Sequence, residues 1–185
     1  MIDLERIVRN VAASAFDEDA APATVTIRLS PAAKSQAARL LEQSNQQHRE
    51  FGGYVEGTAT GSAVTFTGFS HEVSGVSQHV TVPWMDSDKT VAGWHSHPDQ
   101  YEGSNLVPET DNDGDPSPST GNDFKAFDQD QARGHLSVIL GNGRMVVYNG
   151  RDKVHSEEIV AATELAMAAS MATSRLARTI LEKVA

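Results

Sequence analysis

Short runs of alternating apolar and polar residues, interleaved with helical stretches, extend from Val25 to Tyr148, and this pattern limits the fold more than any other feature. Val25, Ile27 and Leu29 alternate with Thr24, Thr26 and Arg28, as in a strand with one buried face. Ser30-Pro31 then marks a helix start, with Ser as N-cap and Pro at the first helical position. That helix is expected to reach about Gln47, with Ala33, Ala37, Leu40 and Ser44 on its inner side. Strands are predicted at 53–58, 63–69, 79–84 and 90–95. A helix from about Asp123 to Ala132 precedes alternating Leu136, Val138 and Leu140. Gly141-Asn142-Gly143 then turns the chain into 145–148 as a hairpin. An amphipathic helix is expected at 2–15 and a long Ala-rich one over 157–185, the latter with Leu165, Ala169, Ala172, Leu176 and Ile180 as its buried stripe. Antiparallel strands mixed with helices on both sides predict the α+β class, a mixed β-sheet sandwiched by helices.

At 185 residues the chain suits a single domain, 1–185, whose core needs no covalent staple. It contains no cysteine, which excludes disulfides, thiolate metal clusters and a cysteine nucleophile. A transition metal would have to be held by His, Asp or Glu, donors that still suit zinc. The formal net charge of -10 repels phosphate backbones, so no nucleic-acid partner is expected. No apolar run approaches bilayer length, and the N-terminus lacks the basic region and apolar core of a signal peptide. The expectation is a cytoplasmic protein without a membrane partner.

The chemistry concentrates at Gly93-Trp94-His95-Ser96-His97-Pro98, where a strand ends. Residues i and i+2 of a strand project to one face, so His95 and His97 present two imidazoles side by side, as two ligands of one ion require. Pro98 stops the strand. A catalytic zinc needs a third protein ligand and an open position for water. Asp123, at a helix start whose N-terminal field favours an anion, is the best candidate; Asp128 and Asp130 are weaker ones further along that helix. Taken alone, the His-x-His pair is more often two surface histidines.

Three segments together resemble the JAMM (MPN+) metalloprotease family. Its signature is an upstream Glu, then H-[ST]-H-P, then S-x-x-D. Glu50-Phe51-Gly52-Gly53-Tyr54-Val55-Glu56-Gly57 resembles the family's E-x-x-G-x-x-x-G junction, residues 90–98 resemble its metal-ligand strand, and Thr120-Gly121-Asn122-Asp123 stands where S-x-x-D is expected. The resemblance covers roughly residues 25–148 and implies a cytidine-deaminase-like JAB/MPN fold of the small single-domain prokaryotic type. It carries over His95, His97 and Asp123 as zinc ligands and Glu50 as general acid/base. A zinc ion lowers the pKa of bound water toward about 7, and a neighbouring carboxylate can relay its proton to the leaving amine. Glu56 is the rival for that relay. The family's serine is replaced by Thr120, with Ser119 one position early, so either hydroxyl is a candidate for stabilising an oxyanion.

The spacing between His97 and Thr120 is far longer than the family's. Residues 99–119 form an inserted acidic loop that must border the site, read either as a substrate-gripping lid, with Tyr101, Leu106 and Val107 as contacts, or as a passive insertion. Glu109, Asp111, Asp113 and Asp115 in its middle, with little apolar content, predict a mobile segment that favours basic substrates. Asp111, Asp113 and Asp115 resemble the first half of a calcium loop, but Pro116 and the missing closing Glu break the match. By resemblance, the expected activity is that of a zinc metallopeptidase or isopeptidase, deubiquitinase-like, acting on a protein or peptide substrate. That substrate would be the C-terminal tail of a ubiquitin-like protein. The alternatives are a catalytically inactive MPN-fold scaffold and a protein-binding module built on the acidic loop. A zinc nucleoside deaminase is disfavoured because its cysteine ligands are missing.

Overall fold

Ser30 ends one element and begins the next. Its hydroxyl accepts from the Ala33 backbone N–H at 3.1 Å, so the cap expected from Ser30-Pro31 is formed. A computed structural model describes residues 25–76, 78–83, 87–119 and 121–159. The order is β1 (Thr26–Leu29), α1 (Pro31–Gln47), β2 (Phe51–Thr60), β3 (Ala63–Ser74), β4 (Thr90–Ser96), α2 (Asn122–Ala132), β5 (Leu136–Gly141), β6 (Arg144–Asn149) and β7 (Asp152–Glu158). The seven strands form one sheet in the order β1-β3-β2-β4-β5-β6-β7. β1 runs parallel to β3 and β4 parallel to β5; the other neighbours are antiparallel. The α+β mixture with a mixed sheet is therefore present.

Alternation along β5 and β6 divides the core between the two sheet faces. Val138, Leu140, Met145 and Val147 join Ala33, Ala37, Leu40 and Leu41 of α1 on one side. Ile139, Val146 and Tyr148 meet Phe127 of α2 on the other, where the Phe127 and Tyr148 rings stack at 4.9 Å. The helices thus cover opposite faces. Leu40 is fully buried, so its truncation to Ala would cost about 2–5 kcal/mol. Gly57 lets β2 and β3 approach closely: a Cβ there would clash with the Thr65 carbonyl and lie 2.9 Å from Val91 Cγ2.

Two segments differ from the sequence expectations. Residues 79–83 are not a strand; His79 makes only an isolated bridge to Val76, and Tyr54 Oη anchors the segment by donating to the Pro83 carbonyl at 2.6 Å. The alternating Val80 and Val82 instead lie over Gly52, where a glycine leaves them room. Glu157 and Glu158, assigned to a helix, end β7, a strand paired to β6 that the charged sequence did not announce. The helices expected at 2–15 and beyond Ile159 lie outside the described residues. Among the described residues no helix is long and apolar enough to cross a membrane.

The middle of the 99–119 loop is tied to the sheet, because Asp111, Asp113 and Asp115 share a partner. Lys153 Nζ sits 2.7 Å from Asp111, 3.2 Å from Asp113 and 2.9 Å from Asp115. Asp115 is buried and also accepts from Arg144 Nε and Ser156 Oγ, each at 2.5 Å. The three carboxylates converge on an ammonium from β7, so a cation's place among them is filled by the protein itself. One ammonium and the Arg144 guanidinium, itself shared with Glu158, do not balance three carboxylates, so the cluster keeps negative charge while being tied to the sheet.

Candidate metal centre

The site forms where β2 and β4 run side by side. Gly52 pairs with His95, and continuing that register places Glu50 opposite His97. Ser96, between the two histidines, faces the other way into the core. Its Oγ accepts from the Phe51 backbone N–H at 2.9 Å and donates to Ser44 Oγ at 2.8 Å; Ser44 in turn donates to the Arg49 carbonyl at 2.7 Å. This buried chain fixes the backbone on both sides of Glu50, and the Glu50 carbonyl itself accepts from Gly75 N–H at 2.8 Å. His97 N–H donates to the Leu140 carbonyl at 2.7 Å, extending the β4–β5 pairing past the strand end.

Three side chains converge on one point. His95 Nε2 and His97 Nε2 are 3.1 Å apart. Asp123 offers Oδ1 to His95 at 3.4 Å and Oδ2 to His97 at 3.3 Å. An ion with four tetrahedral bonds of about 2.0–2.1 Å separates its ligand atoms by about 3.3–3.4 Å, so the cluster can hold a small metal ion with little rearrangement. Asp123 lies in the first turn of α2, as expected, and its Oδ2 accepts from the Ser119 N–H at 2.6 Å and the Ser119 hydroxyl at 2.9 Å. Those bonds orient the carboxylate. In this arrangement the Ser119 proton goes to Asp123; Thr120 lies outside the described residues.

The electrostatics match such a cluster. Burial alone would lower the His95 pKa, but the Asp123 carboxylate, with Glu50 and Asp130 adding, raises it above the ordinary histidine value. Burial disfavours charge on Asp123, yet hydrogen bonds and charge from both imidazoles hold its carboxyl far below the usual range. Two imidazoles thus stabilise the Asp123 anion between them, a donor set that a metal cation could also satisfy.

A groove of about 390 Å³ opens beside the cluster, bordered by Glu50, Tyr54, Val80, Trp94, His95 and Asp130. Glu50, 7% exposed, reaches it, whereas Glu56 does not border it. The two weaker ligand candidates separate. Asp128 is exposed and paired with Arg151 at 2.8 Å. Asp130 lies over Gly93, where a Cβ would come within 2.6 Å of its Oδ2, and accepts from Ser137 Oγ at 2.8 Å. Burial pushes the Asp130 carboxyl up to about 6, against the opposing effects of Ser137, Arg133 and His95.

Of the residues singled out in the sequence, Glu50, His95 and Asp123 border this groove and His97 joins the cluster through His95 and Asp123, whereas the roles of Ser96, Ser44 and Ser137 were missed. Ser96 and Ser44 carried a signal, a polar residue at an inward strand or helix position; Ser137 carried none. Tyr101, expected as a substrate contact, is buried with its hydroxyl 3.1 Å from Glu50 Oε1, a contact the sequence did not announce. No family model matches this chain, and no curated protein matches it significantly.

Proposed function

We propose that the protein is a zinc-dependent metallopeptidase or isopeptidase of the JAMM type, with a cytidine-deaminase-like sheet. The observation that carries this reading is the His95–His97–Asp123 cluster, whose donor atoms stand 3.1–3.4 Å apart beside a buried carboxylate, Glu50. Two imidazoles and one carboxylate, with no thiolate available, form a donor set used by catalytic zinc, and three ligands leave a fourth position open. When bound there, zinc supplies a Lewis acid that lowers the pKa of coordinated water and polarises a carbonyl.

The chain's own residues do the rest. Glu50 takes the proton of the attacking water and delivers it to the leaving amine nitrogen as the C–N bond breaks. The Ser119 contacts keep Asp123 turned toward the histidines. The Ser96–Ser44 chain holds the Glu50 backbone in register with His97. Trp94, Tyr54 and Val80 border the groove of about 390 Å³, and the substrate class we assign is the C-terminal tail of a ubiquitin-like protein.

The test is hydrolysis of internally quenched peptides and of ubiquitin-like-protein fusions by purified protein, before and after chelation and zinc readdition. The reading expects cleavage that is lost on chelation and restored by zinc. Failure of zinc-loaded protein to cleave any peptide or fusion, or cleavage that survives complete metal removal, would overturn it.

A further inference from the structure

The inserted loop does more than border the groove. Its first part is strapped to the C-terminal end of α1 by a succession of bonds. Asn45 donates to Asp99 Oδ2 at 2.9 Å and accepts from the Asp99 N–H at 2.9 Å. Glu102 N–H donates to the His48 carbonyl at 2.6 Å, and Arg49 pairs with the Glu102 carboxylate at 2.8 Å. His48 closes α1 in the left-handed region, at φ 53°, and this sharp exit sends Arg49 and Glu50 toward the strap. Within the strap, Tyr101 is braced by its N–H to the Leu106 carbonyl and by Ser104, whose N–H returns to the Tyr101 carbonyl.

All of these contacts fix one side chain. Tyr101 is 9% exposed, and its Oη donates to Glu50 Oε1 at 3.1 Å. A carboxylate has two oxygens and a rotatable Cγ–Cδ bond, so a donor on one oxygen selects which oxygen remains to accept another proton. Burial, then the Glu50 charge, pushes the Tyr101 phenol above its ordinary value, so it stays protonated and a donor at neutral pH.

We propose that Tyr101 is the positioning residue for Glu50: the 99–106 strap delivers a phenol that holds one carboxylate oxygen and leaves the other to carry the proton. This rests on the hydrolase reading for its kinetic consequence but not for the contact itself. Rotational order of a general base matters because proton transfer requires hydrogen-bond reach and alignment. Loss of the hydroxyl should therefore act on turnover rather than on substrate affinity.

The experiment compares Tyr101→Phe and Tyr101→Ala with the parent protein and adds one readout independent of activity. In protein labelled with 13C at the tyrosine ζ carbon, the Tyr101 resonance, identified by its absence in Tyr101→Phe, should move when Glu50 is changed to Gln. On whichever quenched peptide the parent cleaves best, Tyr101→Phe should lower kcat about ten- to a hundredfold, as for loss of a hydrogen bond to a charged group, with KM changed less than about threefold. Tyr101→Phe should keep the parent's melting temperature and bound zinc, because the ring is retained. A merely structural ring would leave Tyr101→Phe fully active and only Tyr101→Ala impaired, which would overturn the proposal. An unmoved Tyr101 resonance in Glu50→Gln would overturn it as well. A moved resonance in a protein that cleaves no probe supports the contact and refutes the hydrolase reading instead.

Discussion

Replacing Lys153 with Met would remove the ammonium around which Asp111, Asp113 and Asp115 gather. Lys153 lies 2.9 Å from Asp115 Oδ2, and the Asp115 side chain is only 2% exposed, so that oxygen loses its ion-pair partner in a place water hardly reaches. Breaking a fully buried pair costs about 3–5 kcal/mol, whereas an exposed pair contributes about 0–1 kcal/mol. The Lys153 side chain is 33% exposed and Arg144 still neutralises Asp115 Oδ1, so about 2 kcal/mol is expected. For a chain of this length each kcal/mol moves Tm by about 2–4 °C, which gives a fall of about 4–8 °C at pH 7. The Asp115 carboxyl is held below its ordinary value because bonds from Ser156, Lys153 and Arg144 outweigh burial; the Asp111 carboxyl is lowered chiefly by Lys153. A folded pKa below the unfolded one stabilises above the unfolded value, about 3.9, and that stabilisation is lost as pH falls through the folded pKa. The gap between parent and variant should therefore be full at pH 7 and close below about pH 4. Thermal melts followed by circular dichroism measure this. A Tm unchanged within 1 °C at pH 7, or a gap that widens in acid, would refute the view that Lys153 holds the loop.

Three further outcomes follow from the site. Glu50→Gln should retain bound metal and fold while losing at least about a hundredfold in hydrolysis, read by metal analysis and a quenched-peptide assay; near-normal turnover would move the proton relay to another acid. Ser119→Ala should weaken metal affinity roughly tenfold by removing one of the two bonds that orient the Asp123 carboxylate, measured by competition with a chromophoric chelator; unchanged affinity would show that the Ser119 N–H and the α2 backbone suffice to set it. The Asp130 carboxyl, pushed up to about 6, binds more protons folded than unfolded between about pH 4 and 6, so its contribution to stability falls as pH rises through that window. Metal-free Asp130→Asn should then gain on the order of 1–2 kcal/mol over the parent at pH 7.5, with the gain vanishing near pH 4; denaturant titrations at the two pH values decide it.

Local chemistry made much of this legible. The Ser30-Pro31 start, the inward Ala33, Ala37, Leu40 and Ser44, and the Gly141–Gly143 turn involve residues close in sequence, and each formed as expected. His95 and His97 converge because strand period is fixed, and Asp123 lies in the first turn of its helix, as its position at a predicted helix start led us to expect. What escaped detection depended on distant partners. β7 is an edge strand of charged and polar residues whose burial does not alternate, so no period betrays it. Val80 and Val82 alternate as in a strand but pack over a glycine of β2 instead. The acidic loop looked free because Lys153, about forty residues away in the chain, cannot be matched to it before the sheet is known.

The central claim is a three-ligand zinc centre, and metal stoichiometry tests it most directly. Protein purified without chelators, or stripped and reconstituted with zinc, should carry about one zinc per chain by elemental analysis, while Asp123→Ala, folded as judged by circular dichroism, should lose most of it. Parent protein that retains no transition metal after reconstitution, or an Asp123→Ala variant that binds zinc as tightly as the parent, would contradict the account.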